Sequence, residues 1–151
     1  MNYFSPTPKN FDMSAYIDTV SGLTGEMSEL EFEKRTEIIV YDILKQGEGF
    51  SSVEKGPHFR GTPFDFFGYK GGHPYIVEYK GSLKSFNTPG ETQKRRLKAI
   101  LNEINGLNIA LLQVKLLKGQ YRILYNDELD RLFDMRRAPL DPILKWIEER
   151  L

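Results

Sequence analysis

The sequence predicts a mixed α/β fold, with helices that flank a mixed sheet. Three observations support this prediction. A capping box opens a helical segment near residue 28, a β-rich stretch with glycine turns runs from about 50 to 80, and a second helix leads into an apolar strand. The chain has 151 residues and 40% of them are hydrophobic. One hydrophobic core is sustainable at this length without disulfide or metal staples, so we expect one domain at 28–151 after an irregular N-terminal arm at 1–27.

Composition and charge exclude several classes of protein. Lys plus Arg and Asp plus Glu each number 21, so the formal net charge is zero and any nucleic-acid binding must come from a local patch. The chain has no cysteine and no apolar run near the ~20 residues that a membrane span needs. The N-terminal residues lack the basic start and apolar run of a signal peptide, so we expect a cytoplasmic protein without membrane contact.

The first helix is predicted at residues 29–46. Ser28 and Glu31 form the capping box that opens it, and Gly47 and Gly49 end it. Four apolar residues are predicted to share its buried side: Leu30, Val40, Tyr41 and Leu44.

The remaining elements follow from turn and capping signals. Strands are predicted at 50–55, 62–70 and 73–80, and Gly71-Gly72 joins the last two as a hairpin. Thr88-Pro89 opens a helix over 89–105, whose buried stripe is predicted to comprise Leu97, Ile100, Leu101 and Ile104. Strands at 109–117 and 121–125 and short helices at 127–134 and 142–151 complete the chain.

The hairpin carries the main chemical signal. With a two-residue turn at Gly71-Gly72, partners across the hairpin sum to 143, which places Asp65 opposite Glu78. Like charges in that position are destabilising unless a positive group lies between them. Glu78 and Lys80 share a face of the strand because side chains alternate. Two carboxylates and a lysine at the edge of an apolar layer predict a site for a hard divalent cation such as Mg²⁺.

These residues also carry a resemblance to a known family. Pro63-Phe64-Asp65 and Glu78-Tyr79-Lys80, separated by twelve residues, resemble the motif of the PD-(D/E)xK nuclease superfamily, which has the restriction-endonuclease-like fold. Pro63 stands two residues before the aspartate instead of immediately before it. The resemblance covers about residues 29–117 and implies a core of helix, three-strand meander, helix and strand.

The resemblance implies a metal-dependent nuclease, with DNA as the expected substrate. Asp65, Glu78 and the carbonyl of Tyr79 are expected to hold Mg²⁺ or Mn²⁺, while Lys80 orients the attacking water. Cleavage is expected to leave a 5′-phosphate and a 3′-hydroxyl. Family members often have a first-helix glutamate as a further metal or water ligand, which indicates Glu37 here.

Two supporting residues have alternative interpretations. Glu37 lies on the predicted stripe of the first helix, with Glu33 as the second choice. The alternative for Glu37 is a boundary residue that pairs with a lysine such as Lys34. Gln93 lies one turn before Leu97, at the position where family members often carry a glutamine that touches the site. An ordinary polar helix residue is the alternative.

A basic run on the second helix is the candidate nucleic-acid contact. It comprises Lys94, Arg95, Arg96 and Lys98, and Lys84 and Lys70 are predicted to extend it. Cations near a helix N-terminus interact unfavourably with the helix dipole. A phosphate backbone that crosses the helix would instead be attracted to them. A solvated charge run is the alternative interpretation.

Two rival functions stay open at this stage. The first is a nucleic-acid-binding or assembly module that keeps the fold without cleavage. The second is an α/β enzyme of unrelated chemistry in which Asp65, Glu78 and Lys80 form a structural ion triad, although the chain has no phosphate-binding glycine loop, nucleophile elbow or zinc motif. A homodimer or larger homo-oligomer also stays open, with the last helix as a contact.

Overall fold

A six-stranded mixed sheet forms the centre of the molecule. The computed structural model describes residues 7–56, 58–59, 62–63, 65–103, 106–126, 128–129 and 150. The strands of this sheet are β1 (Lys9–Asn10), β2 (Ser52–Lys55), β5 (Phe66–Lys70), β6 (His73–Ser82), β7 (Asn108–Lys115) and β8 (Gln120–Tyr125). Their spatial order is β1-β8-β7-β6-β5-β2, and only β6 and β7 pair in parallel. The predicted mixed α/β class is therefore confirmed.

Three α-helices are described beside the sheet: α1 (Ile17–Ser21), α2 (Glu29–Asp42) and α3 (Glu91–Glu103). A π-helical turn, Ile43–Gly47, continues α2. Short strands β3 (His58–Phe59) and β4 (Thr62–Pro63) pair with each other outside the main sheet. No helix within the described part of the chain is long and apolar enough to cross a membrane.

The two faces of the sheet carry separate apolar clusters. Phe66, Val77 and Tyr79 pack on one side in a cluster that includes Phe32, Ile39 and Ile43 of the α2 segment. Ile76, Ile109 and Leu111 pack on the other side with Leu97 and Ile100 of α3. This division follows from side-chain alternation along β6, so residues 76 and 78 face α3 while 77 and 79 face α2.

The predicted stripe of the first helix was wrong in part. Ser28 caps α2 as expected, since its hydroxyl accepts the Glu31 N–H at 3.2 Å. The buried side, however, comprises Phe32, Thr36, Ile39, Val40, Ile43 and Leu44, whereas Leu30 is 65% exposed. At about 100° per residue, Leu30 lies about 120° from the centre of this buried face. Tyr41 is partly buried and packs against Phe66 of the same cluster. The prediction was therefore wrong for Leu30.

The β-rich region also differs from its prediction. The strand expected at 62–70 is divided into β4 and β5, because Asp65 lies in a bend between them. The expected first strand, 50–55, begins only at Ser52. The apolar strand expected at 109–117 ends at Lys115, where a 3₁₀ turn over Leu116–Lys118 leads into β8.

The N-terminal arm has more local structure than the irregular segment expected at 1–27. β1 pairs with β8 through Lys9↔Tyr121 and Asn10↔Gln120, and a 3₁₀ turn and α1 follow it. Lys9 also bonds the buried carboxylate of Glu48 at 2.7 Å, which fastens the arm to the sheet. The helices predicted at 127–134 and 142–151 fall almost wholly outside the described residues, as do Ile104 and Asn105 at the end of the second predicted helix.

Candidate active site

The candidate site lies where β6 continues past its pairing with β5. The ladder between these strands runs from Lys70↔His73 to Phe66↔Val77, in the register in which partners sum to 143. Asp65 precedes the first ladder residue of β5. The prediction that Asp65 is a strand residue paired with Glu78 was therefore wrong. The carboxylate of Asp65 nevertheless reaches β6, because Oδ2 accepts the backbone N–H of Tyr79 at 2.8 Å. This bond holds Asp65 beside Glu78.

Tyr79 fixes the position of this stretch of β6 against α2. Its side chain is 1% exposed, and its hydroxyl lies 2.7 Å from the hydroxyl of Thr36. Thr36 also donates to the Phe32 carbonyl at 2.9 Å, as serine and threonine commonly do within helices. The backbone of Tyr79, which binds Asp65, is therefore anchored by a buried side chain on the opposite face of the sheet.

Glu78 is almost completely buried on the α3 side of the sheet. It is 1% exposed, and its Oε2 accepts a hydrogen bond of 2.5 Å from Nε2 of Gln93 on α3. Its other oxygen, Oε1, is buried with no hydrogen-bond partner among the described residues. An unsatisfied buried carboxylate oxygen is costly, so a proton, a cation or a water at this position would stabilise the folded protein.

The two carboxylates interact strongly. Burial and the charge of Asp65 raise the pKa of Glu78 well above its usual value, and Asp65 stands close enough to share a proton with it. Burial also raises the pKa of Asp65, although the Tyr79 N–H opposes this by stabilising the ionised form. Two buried neighbouring carboxylates cannot both ionise cheaply, so the pair retains a proton unless a cation replaces it.

Lys80 is the nearest cation on the same strand. Its side chain is 14% exposed, and its ammonium donates to Glu29 at the start of α2 at 2.9 Å. Burial lowers the pKa of Lys80, but the hydrogen bond to Glu29 and the charges of Glu29, Glu33 and Asp65 outweigh it, so that the pKa is raised. Lys80 is therefore a fixed positive charge and a hydrogen-bond donor at neutral pH.

The glutamate of α2 that approaches the site is Glu33. Burial and the charges of Asp65 and Glu29 raise the pKa of Glu33 to about 7. Glu37, the first choice from the sequence, instead forms an ion pair with Lys55 of β2. Glu37 lies about 40° further round α2 than Glu33 and thus further from the buried face. Glu37 is therefore paired with a lysine, as the alternative interpretation expected, but the lysine is Lys55 and not Lys34.

A cavity of about 720 Å³ opens beside Lys80. Glu29 and Glu33 of α2 line one side of it. Residues of the segment between β6 and α3, among them Leu83, Asn87 and Thr88, line another side. Lys80 and Glu33 thus face the same solvent-accessible space, which is large enough for a ligand group.

The predicted basic run lies on α3 with unequal exposure. Arg95 and Arg96 are exposed, Lys98 is partly buried, and Lys84 is exposed in the segment before the helix. Lys94 is 16% exposed and pairs with Glu91 at 3.4 Å. The prediction that Lys70 extends this patch was wrong. Lys70 lies at the turn end of the hairpin, where it donates to the Tyr125 hydroxyl at 2.8 Å.

The structure thus brings together Asp65, Glu78, Lys80 and Gln93, and it places Glu33 at their edge. Groups of three or more histidine or carboxylate side chains with the geometry of a metal site are absent from the described residues. The described residues bring two carboxylates together, those of Asp65 and Glu78. Mg²⁺ in proteins is commonly bound by one or two carboxylates and retains several waters. Neither a scan against protein-family models nor a search of curated proteins found a match to this sequence.

Proposed function

We propose that this chain is a metal-dependent nuclease that hydrolyses phosphodiester bonds, with DNA as its substrate, on a restriction-endonuclease-like core. The order of elements supports this proposal. Helix α2 precedes an antiparallel meander of β2, β5 and β6, and α3 then connects β6 to the parallel strand β7. This is the order that the sequence resemblance implies, and Asp65 and Glu78 lie on neighbouring segments where β6 continues past its pairing with β5.

One observation carries the proposal: the buried, unpartnered Oε1 of Glu78 beside the carboxylate of Asp65. If no ligand bound at this position, an apolar or neutral side chain there would destabilise the folded protein much less than a buried carboxylate does. The donor set, which consists of carboxylate oxygens and the Tyr79 carbonyl, fits Mg²⁺ or Mn²⁺ and not a thiophilic metal. When bound, the ion supplies Lewis-acid stabilisation of phosphate charge and a more acidic water.

The surrounding residues have distinct roles in this proposal. Gln93 holds Glu78 in place through the hydrogen bond to Oε2. Lys80, which is cationic, orients the nucleophilic water and stabilises the negative charge that develops on the phosphate. Glu33, with its pKa of about 7, can accept a proton from that water near neutral pH. We therefore assign to Glu33 the role that the sequence suggested for Glu37.

Helix α3 provides the proposed backbone contact. Arg95 and Arg96 are exposed on the helix that also holds Gln93. Arg96 lies about 60° round the helix from Gln93 and Arg95 about 160°, so a phosphate at Arg96 is the nearer one to the carboxylate pair. Contacts to phosphates position a nucleic acid without reading its sequence. The proposal therefore includes non-specific, salt-sensitive binding to DNA.

Cleavage assays with divalent metal test this proposal. Wild-type protein is incubated with plasmid, single-stranded and branched DNA in Mg²⁺ or Mn²⁺, beside Asp65→Asn, Glu78→Gln and the exposed-strand control Glu54→Gln. We expect cleavage by the wild type and the control and none by the two site variants, with 5′-phosphate ends. Full activity in Asp65→Asn or in EDTA overturns the proposed site. Binding of DNA without cleavage in every condition favours a non-catalytic nucleic-acid-binding module.

A further inference from the structure

A row of polar side chains crosses the sheet from the candidate site. Lys80 on β6 is the register partner of Gln113 on β7, and Gln113 is the partner of Arg122 on β8. Side chains at one level of neighbouring strands start from the same face, so all three start from the α3 side with Glu78, whereas the ammonium of Lys80 reaches Glu29 at the start of α2. In the next row, Lys115 is the partner of Ser82. Lys115 thus lies one strand and Arg122 two strands away from Glu78.

The segment between β6 and α3 contacts this row through a hydrogen bond and two cation–π contacts. Gln113 is fully buried, and its side-chain amide donates to the Asn87 carbonyl at 2.6 Å while its Oε1 accepts from Nε of Arg122. The ring of Phe86 lies 4.1 Å from Nζ of Lys115 and 4.7 Å from Cζ of Arg122. We define Phe86, Gln113, Lys115 and Arg122 as the cationic shelf.

Two positive groups converge on one ring in this shelf. Neither Lys115 nor Arg122 forms an ion pair with a carboxylate in the described part of the chain. Each cation–π contact is worth about 0.5–1 kcal/mol at a partly exposed site, and the like charges repel each other. Burial also lowers the pKa of Arg122, although Nε of Arg122 keeps a hydrogen bond to Gln113. An anion at the shelf offsets the repulsion between the two cations.

The spacing between the shelf and Lys80 favours a nucleic-acid phosphate backbone as the anion. Strands lie about 4.8 Å apart, so the backbones at Lys80 and Arg122 are separated by roughly 10 Å, which is about the rise of three nucleotides along one strand. Asn87 lines the cavity beside Lys80 and also binds the shelf through Gln113. A polyanionic chain with a phosphate in the cavity therefore reaches the shelf by crossing Asn87.

We propose that the cationic shelf binds the phosphate backbone of a nucleic-acid strand as it leaves the carboxylate site, separately from the basic run on α3. This inference rests on the proposed function, because the path of the strand begins at Lys80. It makes Lys115 and Arg122 phosphate-binding residues. Phe86 and Gln113 are positioning residues, which hold the two cations and the segment before α3 in place.

Binding of a labelled single-stranded DNA oligonucleotide in EDTA, measured over a range of salt concentrations, tests the shelf. Each lost phosphate contact on a single strand lowers the slope of log affinity against log salt by about 0.7. We expect Lys115→Gln to lower the slope by about 0.7 and Lys115→Gln with Arg122→Gln to lower it by about 1.4. The control is Lys45→Gln, which also removes a lysine that lies over an aromatic ring, Tyr41, and should leave the slope unchanged.

Phe86→Leu separates phosphate binding from a purely structural role. It removes the ring but keeps both charges, so the salt slope should stay at the wild-type value even if the protein melts at a lower temperature. If Phe86→Leu and Lys115→Gln change the slope equally, the cations only hold the segment in place and the inference is overturned.

The outcomes also separate this inference from the proposed function. Wild-type slopes in both shelf variants, with cleavage intact, overturn the shelf alone. Altered slopes in a protein that cuts no substrate support the shelf and overturn the nuclease. A wild-type protein that binds no nucleic acid overturns both.

Discussion

Replacing Glu78 with Gln should stabilise the metal-free protein at alkaline pH. The new amide oxygen can accept the hydrogen bond that Gln93 now donates to Oε2, and the new NH₂ group can donate toward Asp65 from the position of the unpartnered Oε1. The substitution thus replaces a buried carboxylate pair with one carboxylate and a neutral donor. Satisfying a buried polar atom of this kind is worth about 1–3 kcal/mol.

The gain should depend on pH in a defined direction. The pKa of Glu78 in the folded protein lies above its unfolded value, so the folded state binds the proton more tightly. The stability from this proton is fully present below the unfolded pKa of about 4.3 and is lost as the pH rises through the folded pKa. Glu78→Gln avoids this loss, so its advantage should be small at acidic pH and largest in alkaline buffer.

Thermal melts in EDTA at acidic and alkaline pH measure the effect. For a chain of this size about 2–4 °C corresponds to 1 kcal/mol, so a gain of about 2 kcal/mol raises Tm by roughly 4–8 °C in alkaline buffer. Glu54→Gln on the exposed strand β2 controls for the chemistry of the substitution. Added Mg²⁺ should raise the Tm of the wild type by ligand linkage and affect Glu78→Gln much less. A Glu78→Gln variant that melts below the wild type in alkaline EDTA refutes the carboxylate-pair reasoning, and equal Mg²⁺ shifts place the ion elsewhere.

Four further predictions concern helices α2 and α3 and strand β6. The raised pKa of Glu33 means that the metal-free protein should lose stability as pH rises from about 4.5 through 7, and Glu33→Gln should flatten this dependence in urea titrations; an unflattened profile contradicts the assignment. Glu37→Gln, the matched control on the same helix, removes a solvent-exposed ion pair and should cost less than about 1 kcal/mol with normal cleavage; loss of cleavage restores Glu37 to the site. Tyr79→Phe removes the bond to the Thr36 hydroxyl and should lower the free energy of unfolding by about 0.5–1.5 kcal/mol; an unchanged value in urea shows that the bond contributes nothing. Changing Arg95 and Lys98 together to Gln should lower the salt slope for duplex DNA by roughly one to two units, since each phosphate contact contributes about 0.9; an unchanged slope removes α3 from the binding face.

Local signals determined much of the framework. The capping box at Ser28, the glycine turn at Gly71-Gly72 and the apolar stripe of α3 each depend on residues close together in the sequence, and each appears in the structure. The hairpin register followed from turn length alone, because a two-residue turn fixes every partner after it. That register was sufficient to bring Asp65 and Glu78 together as a candidate pair.

Other features depended on contacts between distant segments. The sequence could not decide which glutamate of α2 approaches the site, since the rotation of a helix about its axis is set by the surface on which it packs. Leu30, which was predicted to be buried, is exposed for the same reason. The bend at Asp65 also escaped prediction, because the N–H that its carboxylate binds belongs to Tyr79 on another strand.

The electrostatic partners were decided only by the tertiary structure. Lys80 pairs with Glu29, which lies 51 residues away in the chain, and Lys115 and Arg122 meet at Phe86 from different elements. Patterns of alternation and helical period assign a residue to a face but not to a partner, because the partner depends on how strands are ordered across the sheet. The sequence by itself therefore determined which residues could act, and the strand order β8-β7-β6-β5 decided which of them meet.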